Sequence, residues 1–240
     1  MTNWYPQDKD ELNKLVDSYL NQELNLKVKP FKINGLIVPH AGYEYSGSVA
    51  GKAFSLLKNK KIEKAIILGP SHYIPLTRVV TSDQIEWSTP LGKIKLYNKD
   101  FPTTNIEEEH SIKNQVPFLQ KIGIKKIMPL MVGKIMPEQA KSIAEKIFKE
   151  PAVFVFSTDL SHFKNYEIAN KIDKSTIKII QNLEIENFQN IDACGFYPLL
   201  IMMYLCKLLN VKPNLIEYKN SGDITGDKYH GVVGYASFWF

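Results

Sequence analysis

Three of the five histidines in this 240-residue chain share one setting. His40 follows the apolar run Leu36-Ile37-Val38 across Pro39. His72 follows Ala65-Ile66-Ile67-Leu68 across Gly69-Pro70-Ser71, and His162 follows Val153-Phe154-Val155-Phe156 across Ser157-Thr158-Asp159-Leu160-Ser161. If the three runs are parallel neighbours in one sheet, the imidazoles converge on the edge where such folds bind ligands; an antiparallel strand among them would break the argument. Imidazole titrates near neutral pH and is the commonest metal ligand. Asp159 stands three residues before His162. A carboxylate there orients a ring, shares a metal with it, or caps a following helix. Cys194 lies just ahead of the apolar stretch from Phe196 to Cys206. A thiol near a helix N-terminus has a favoured thiolate, suited to metal ligation or nucleophilic attack; the alternative is a buried cysteine acting as a small hydrophobe, which is the reading for Cys206. Two histidines and one thiolate form a three-ligand face with open positions. Two histidines and one carboxylate is the usual face for non-haem Fe(II), and a thiolate in the carboxylate's place softens the site toward iron, copper or zinc.

The other two histidines carry weaker signals. His110 follows Glu107-Glu108-Glu109 and opens a helical pattern, which suits a capping or surface residue as well as a site residue. His230, between Tyr229 and Gly231, is read as incidental. Neither GxxxxGK(S/T) nor GxGxxG occurs, so no Gly-rich phosphate loop is present, and no Gly-x-Ser-x-Gly elbow points to a serine hydrolase.

The elements that must position these residues alternate along the chain. Residues 9–22 have Leu12, Leu15, Val16 and Leu20 at helical spacing. The runs at 36–38, 65–68, 127–132 and 153–156 are continuous and apolar, as in strands buried on both faces, and 232–238 reads as a last strand. Pro129 suggests that the third of these is irregular or at an edge. Helical patterns cover 47–57, 111–120, 137–149, 169–183 and 197–209, and residues 79–97, with a Thr-Pro-Leu-Gly turn, read as a hairpin excursion. No linker or repeat divides the chain, so residues 1–240 are expected to form one α/β domain: a three-layer α/β/α sandwich around a central mixed sheet.

Composition excludes several classes. The chain is 44% hydrophobic and 11% aromatic, enough to bury a core and too apolar for a disordered chain. Net charge is +5, yet 29 of the 30 basic residues are lysine, and Arg78 is the single arginine. Nucleic-acid readers use the planar guanidinium fork, so a nucleic-acid partner is not expected. The longest apolar run falls short of the roughly 18 residues a membrane span needs. Two cysteines suit a reducing compartment, and the polar, acidic start MTNWYPQDKDEL does not read as a secretory leader, so the expected location is cytoplasmic.

Beyond these readings, the segment Val38-Pro39-His40-Ala41-Gly42-Tyr43-Glu44-Tyr45-Ser46-Gly47 resembles the signature of the Memo family. Further blocks agree in order: Leu68-Gly69-Pro70-Ser71-His72, Glu109-His110-Ser111-Ile112, Ser157 to His162, Cys194-Gly195, and Gly222-Asp223-Ile224-Thr225-Gly226-Asp227 leading into Val233-Gly234-Tyr235-Ala236. The resemblance implies a fold similar to the class III extradiol dioxygenases, non-haem iron enzymes that open catechol rings. It also implies a pocket in which His40, His72 and Cys194 hold a metal, with Asp159 and His162 as the catalytic pair that positions substrate or moves protons. Iron(II) or copper is the metal implied, with zinc as the other choice. The family's human member is linked to copper or iron redox chemistry and to phosphotyrosine peptides. Microbial relatives often occur beside a radical-SAM protein and an AMMECR1-like protein, which are the partners implied. Cys194 replaces the dioxygenase carboxylate, so ring cleavage does not carry over. Lys113 stands where many relatives have a Glu, which discounts His110 as a catalytic residue, and no arginine is nearby to clamp a phosphotyrosine. Two functions follow: a dioxygenase-like metal-dependent oxidoreductase acting on a small molecule, or a non-catalytic module that binds a ligand or short peptide in a vestigial dioxygenase pocket. A zinc hydrolase is a third, weaker option.

Overall fold

The computed structural model describes residues 4–26, 28 and 30–240; the first three residues of the polar start lie outside it. In chain order the elements are α1 (Lys9–Leu20), β1 (Gly35–Val38), α2 (Tyr43–Ser55), β2 (Lys64–Pro70), β3 (Val79–Ser82), β4 (Glu86–Thr89), β5 (Gly92–Leu96) and β6 (Thr103–Thr104). Then come α3 (His110–Lys113), α4 (Val116–Lys121), β7 (Lys126–Val132), α5 (Pro137–Ile147), β8 (Val153–Ser157), α6 (Tyr166–Asn182), a 3-10 turn (Ile185–Asn190), α7 (Phe196–Leu209), β9 (Asn214–Asn220), α8 (Ser221–Thr225) and β10 (Gly234–Trp239).

The ten strands form one mixed sheet in the order β4-β5-β7-β2-β8-β1-β10-β9, with β3 also on β7 and β6 on β3. Its centre is parallel: β8 pairs with β1 on one side and β2 on the other, and β2 pairs with β7. β10 runs antiparallel to β1, and β9 antiparallel to β10. The apolar runs therefore lack polar alternation because both of their faces are buried. Ile37, Ile66, Leu68, Met128, Leu130, Phe154 and Phe156 enter one core with α5, α6 and α7. Leu36, Val38, Ala65, Ile67, Ile127, Met131, Val153 and Val155 enter the other with α1, α2 and α4. This is the expected three-layer sandwich. Among the described residues no helix is long and apolar enough to cross a membrane.

Two expectations need correction. The Pro129 strand, β7, is interior: β2 covers one side, and β5 and β3 share the other. Proline is tolerated because it falls between the two partners, β5 pairing at residues 126–127 and β3 at 130–132. Its carbonyl accepts a hydrogen bond from Thr81 Oγ1 at 2.7 Å. The helix expected over 111–120 is broken into α3 and α4 at Asn114 and Gln115, whose side chains are buried.

Helix α1 packs on α2 where glycine removes the barrier between them. A Cβ built at Gly51 would lie 2.5 Å from Tyr19 Cβ and 2.8 Å from its backbone carbonyl. Overpacking of this kind costs about 1–3 kcal/mol, so Gly51→Ala is expected to lower Tm by several degrees in a thermal melt, with the fold retained.

Candidate metal centre

His40 follows β1 and is 2% exposed. Its backbone N–H donates to Asp159 Oδ1 at 2.8 Å, and its carbonyl accepts from Asn114 Nδ2 at 2.8 Å. Its Nδ1 lies 2.9 Å from Ser157 Oγ, which also accepts from Gln115 Nε2. Gln115 Nε2 also reaches the Pro39 carbonyl. The break between α3 and α4 therefore places two amide side chains against the Pro39-His40 turn. His72 follows β2, and its side chain is 27% exposed. Its Nδ1 is 2.9 Å from Glu109 Oε1, and its backbone N–H donates to Glu109 Oε2 at 2.8 Å.

The third ring of the cluster is His110. It is the first residue of α3 and is 9% exposed, so it is neither a surface residue nor the cap; Glu109 is the cap, accepting the Ser111 N–H. The centroids of the His40 and His110 rings are 5.4 Å apart, those of His72 and His110 4.4 Å, and those of His40 and His72 5.2 Å. One nitrogen from each of the three lies within 4.8 Å of the others, the spacing of ligands around one ion. His110 Nδ1 is 2.9 Å from the Tyr73 hydroxyl, and Trp4 stacks on the ring at 4.1 Å. Each Nδ1 thus has a protein partner, which leaves the three Nε2 atoms as the donors free for a shared ion. Burial disfavours the charged form of the two enclosed rings: it lowers the pKa of His40 well below the ordinary value, helped by His72, and burial followed by the neighbouring imidazoles lowers His110 to about 3. The lone pairs of His40 and His110 are therefore available at neutral pH.

Cys194 touches this cluster from one side. Its Sγ is 3.2 Å from His40 Nε2 and accepts the Asp159 N–H at 3.2 Å. It precedes α7, as expected, but the thiolate is not favoured: burial first, and then the Asp159 carboxylate, push the thiol well above its ordinary pKa. Burial outweighs the helix terminus. Asp159 is wholly buried, and it does not cap a helix at its own position; the next helix, α6, is capped by Asn165. Its carboxylate accepts the amides of His40 and Ala41 instead. His162 is half-buried on the same strand edge, outside the three-ring cluster. His230 is exposed and paired with Asp227 at 2.7 Å.

Sequence reasoning discounted His110 and gave Glu109 no role. The signal was the block Glu109-His110-Ser111-Ile112, which aligned with the family but stood on no apolar strand.

The sequence model of a family described as Memo-like protein matches residues 2–239. This chain belongs to the Memo family. A MEMO1 family protein of Aquifex aeolicus is 34% identical over 99% of this chain and 96% of its own length. Counterparts in Thermoplasma volcanium (32% identity, 98% and 94% coverage) and Methanobrevibacter smithii (34%, 98% and 95%) are similar from end to end. The Memo-family blocks His40, His72, Glu109-His110 and Ser157 to Asp159 are the segments that meet at the cluster.

The raised thiol pKa has a direct readout. Thiolate falls about tenfold for each unit of pKa increase. In the metal-free protein at pH 8, Cys194 is expected to react with iodoacetamide at least about tenfold more slowly than after denaturation, as followed by peptide mass spectrometry.

Proposed function

We propose that this Memo-family protein holds a redox metal, iron or copper, on His40 and His72, with His110 and Cys194 as the adjoining donors, and acts as a dioxygenase-like oxidoreductase on a small molecule. One observation carries the reading: three imidazoles converge within ligand spacing while each outer nitrogen is held by a protein group. That is the arrangement of metal-bound histidines, whose second ring nitrogen is fixed by a carboxylate, hydroxyl or carbonyl. Imidazole and thiol donors fit iron, copper or zinc better than magnesium or calcium, which prefer oxygen.

When bound, the metal supplies open coordination positions for oxygen or a substrate hydroxyl. The protein's residues supply the rest. Ser157, Glu109 and Tyr73 fix the three rings. Asp159 holds the His40 turn through its backbone amides. His162, on the same edge but outside the cluster, would serve as the general base toward a substrate hydroxyl. Half-exposed His72 marks the open side, while His40 and His110 are closed in.

The test is elemental analysis of protein purified anaerobically without an affinity tag, beside the His40→Ala/His72→Ala double variant. The expected result is near-stoichiometric iron or copper, lost in the variant while circular dichroism shows the fold intact. Zinc in its place favours the hydrolase. No metal in either sample after reconstitution overturns the proposal in favour of a ligand- or peptide-binding module.

A further inference from the structure

Glu109 is buried to 2% exposure, and all of its close partners are N–H donors or imidazoles. Oε1 accepts the Ser111 N–H at 3.0 Å and lies 2.9 Å from His72 Nδ1; Oε2 accepts the His72 backbone N–H at 2.8 Å. His110 Nδ1 is 3.4 Å from Oε1. Among the described residues no lysine or arginine forms an ion pair with it, although Lys113 nearby pairs with Glu107 and Glu108. A buried carboxylate without a cationic partner is expensive. The positive charge it lacks belongs on the far side of the two imidazoles it touches, at their Nε2 atoms.

We infer that Glu109 is a positioning residue of the metal centre: one carboxylate that fixes the tautomer, ring orientation and backbone of His72 and supports His110 beside it. The inference rests on the metal reading above and adds a residue to it. The geometry makes the role specific. His72 lies on the loop after β2, half-exposed and without the amide brace that Asn114 and Gln115 give His40. Glu109 takes hold of that loop residue twice, by ring and by main chain, across a separation of 37 positions. Donation of Nδ1–H to an anionic oxygen leaves Nε2 as the lone pair and makes it more electron-rich than a ring held by a neutral hydroxyl. Of the three rings, His72 is therefore the strongest donor, although it is the least enclosed.

The experiment compares wild type, Glu109→Gln and Glu109→Asp. Glutamine keeps the size and one acceptor but removes the charge; aspartate keeps the charge. Anaerobic titration with Fe(II), and separately with Cu(II), is expected to show affinity weakened about 10–100-fold in Glu109→Gln, the range found for lost partners of metal-bound histidines. The visible spectrum of the Cu(II) form should shift, and aspartate should recover part of the affinity. Wild-type affinity and spectrum in Glu109→Gln would overturn the inference while leaving the metal reading standing. Failure of wild type to bind either ion overturns both. A second measurement needs neither metal nor a folded variant: nitrogen-15 NMR of the imidazoles in wild-type apoprotein should show His72 protonated at Nδ1 and bare at Nε2. A neutral His72 ring with its proton on Nε2 instead of Nδ1 would overturn the inference by itself.

Discussion

The site depends on one piece of backbone pairing: β8 lies between β1 and β2 and runs parallel to both. Parallel strands in register end together, so the turns after them open on one edge. The pairing Val38↔Ser157 puts the last residue of β1 directly beside the serine that faces His40. Leu68↔Phe156 does the same for β2, two residues before Pro70 and four before His72. Reversing any of the three strands would carry its histidine to the far end of the sheet. The two cores enforce this pairing, because alternate residues of each central strand are committed to opposite apolar layers. A one-residue slip would exchange the layers along a whole strand.

Burial then decides the protonation of what the strands deliver. Moving imidazoles out of water disfavours their charged forms, and placing three together disfavours them further. For His40 and His110 the result is a neutral ring, so no proton has to be displaced before its lone pair can be used. The same burial acts on Cys194 in the opposite functional sense. It keeps the sulfur protonated beside His40 Nε2, so ligation by sulfur would have to expel a proton, whereas ligation by His40 or His110 would not. The amide donors of Asn114 and Gln115 complete the enclosure, and their side-chain carbonyl oxygens remain without partners.

Much of this was legible in the residues, for identifiable reasons. Strands buried on both faces leave continuous apolar runs, so β1, β2, β7 and β8 and the histidines after three of them could be placed without the structure. β9 was not anticipated: Asn214–Asn220 is only half-buried and carries Lys219 and Glu217, so neither a continuous nor an alternating apolar pattern marks it. Pro129 misled because a proline is informative only once the partner on its N–H side is known, and here that side is the gap between β5 and β3. Discounting His110 was the larger error. That residue reaches the cluster from a four-residue helix held over the sheet edge by Glu109, Asn114 and Gln115, and tertiary hydrogen bonds of that kind leave no periodicity to read. The comparison of Lys113 with a family Glu weighed against the segment. Yet Lys113 faces Glu107 and Glu108, away from the question of whether His110 is a ligand.

The cluster is thus assembled by two different devices, and they differ in rigidity. His40 is set by a strand end braced with four side chains: Ser157, Asp159, Asn114 and Gln115. His72 and His110 are set against each other, through Glu109 and Tyr73, on loop and short-helix backbone. Beyond them the edge opens through residues that could have been buried and are not. Tyr73 is 56% exposed and Phe163 79%. Phe163 also adopts a φ of 54°, a left-handed conformation that disfavours side chains of its kind. It is held there next to Gly231, where a built Cβ would stand 2.8 Å from the Phe163 main chain. Strain of this sort persists only when surrounding packing determines it. Here that packing is the main-chain bridge between Lys164 and Val232, which ties the His162 loop to the segment leading into β10. The enclosed side of this edge holds His40 and His110, and the exposed side carries His72, Tyr73 and Phe163.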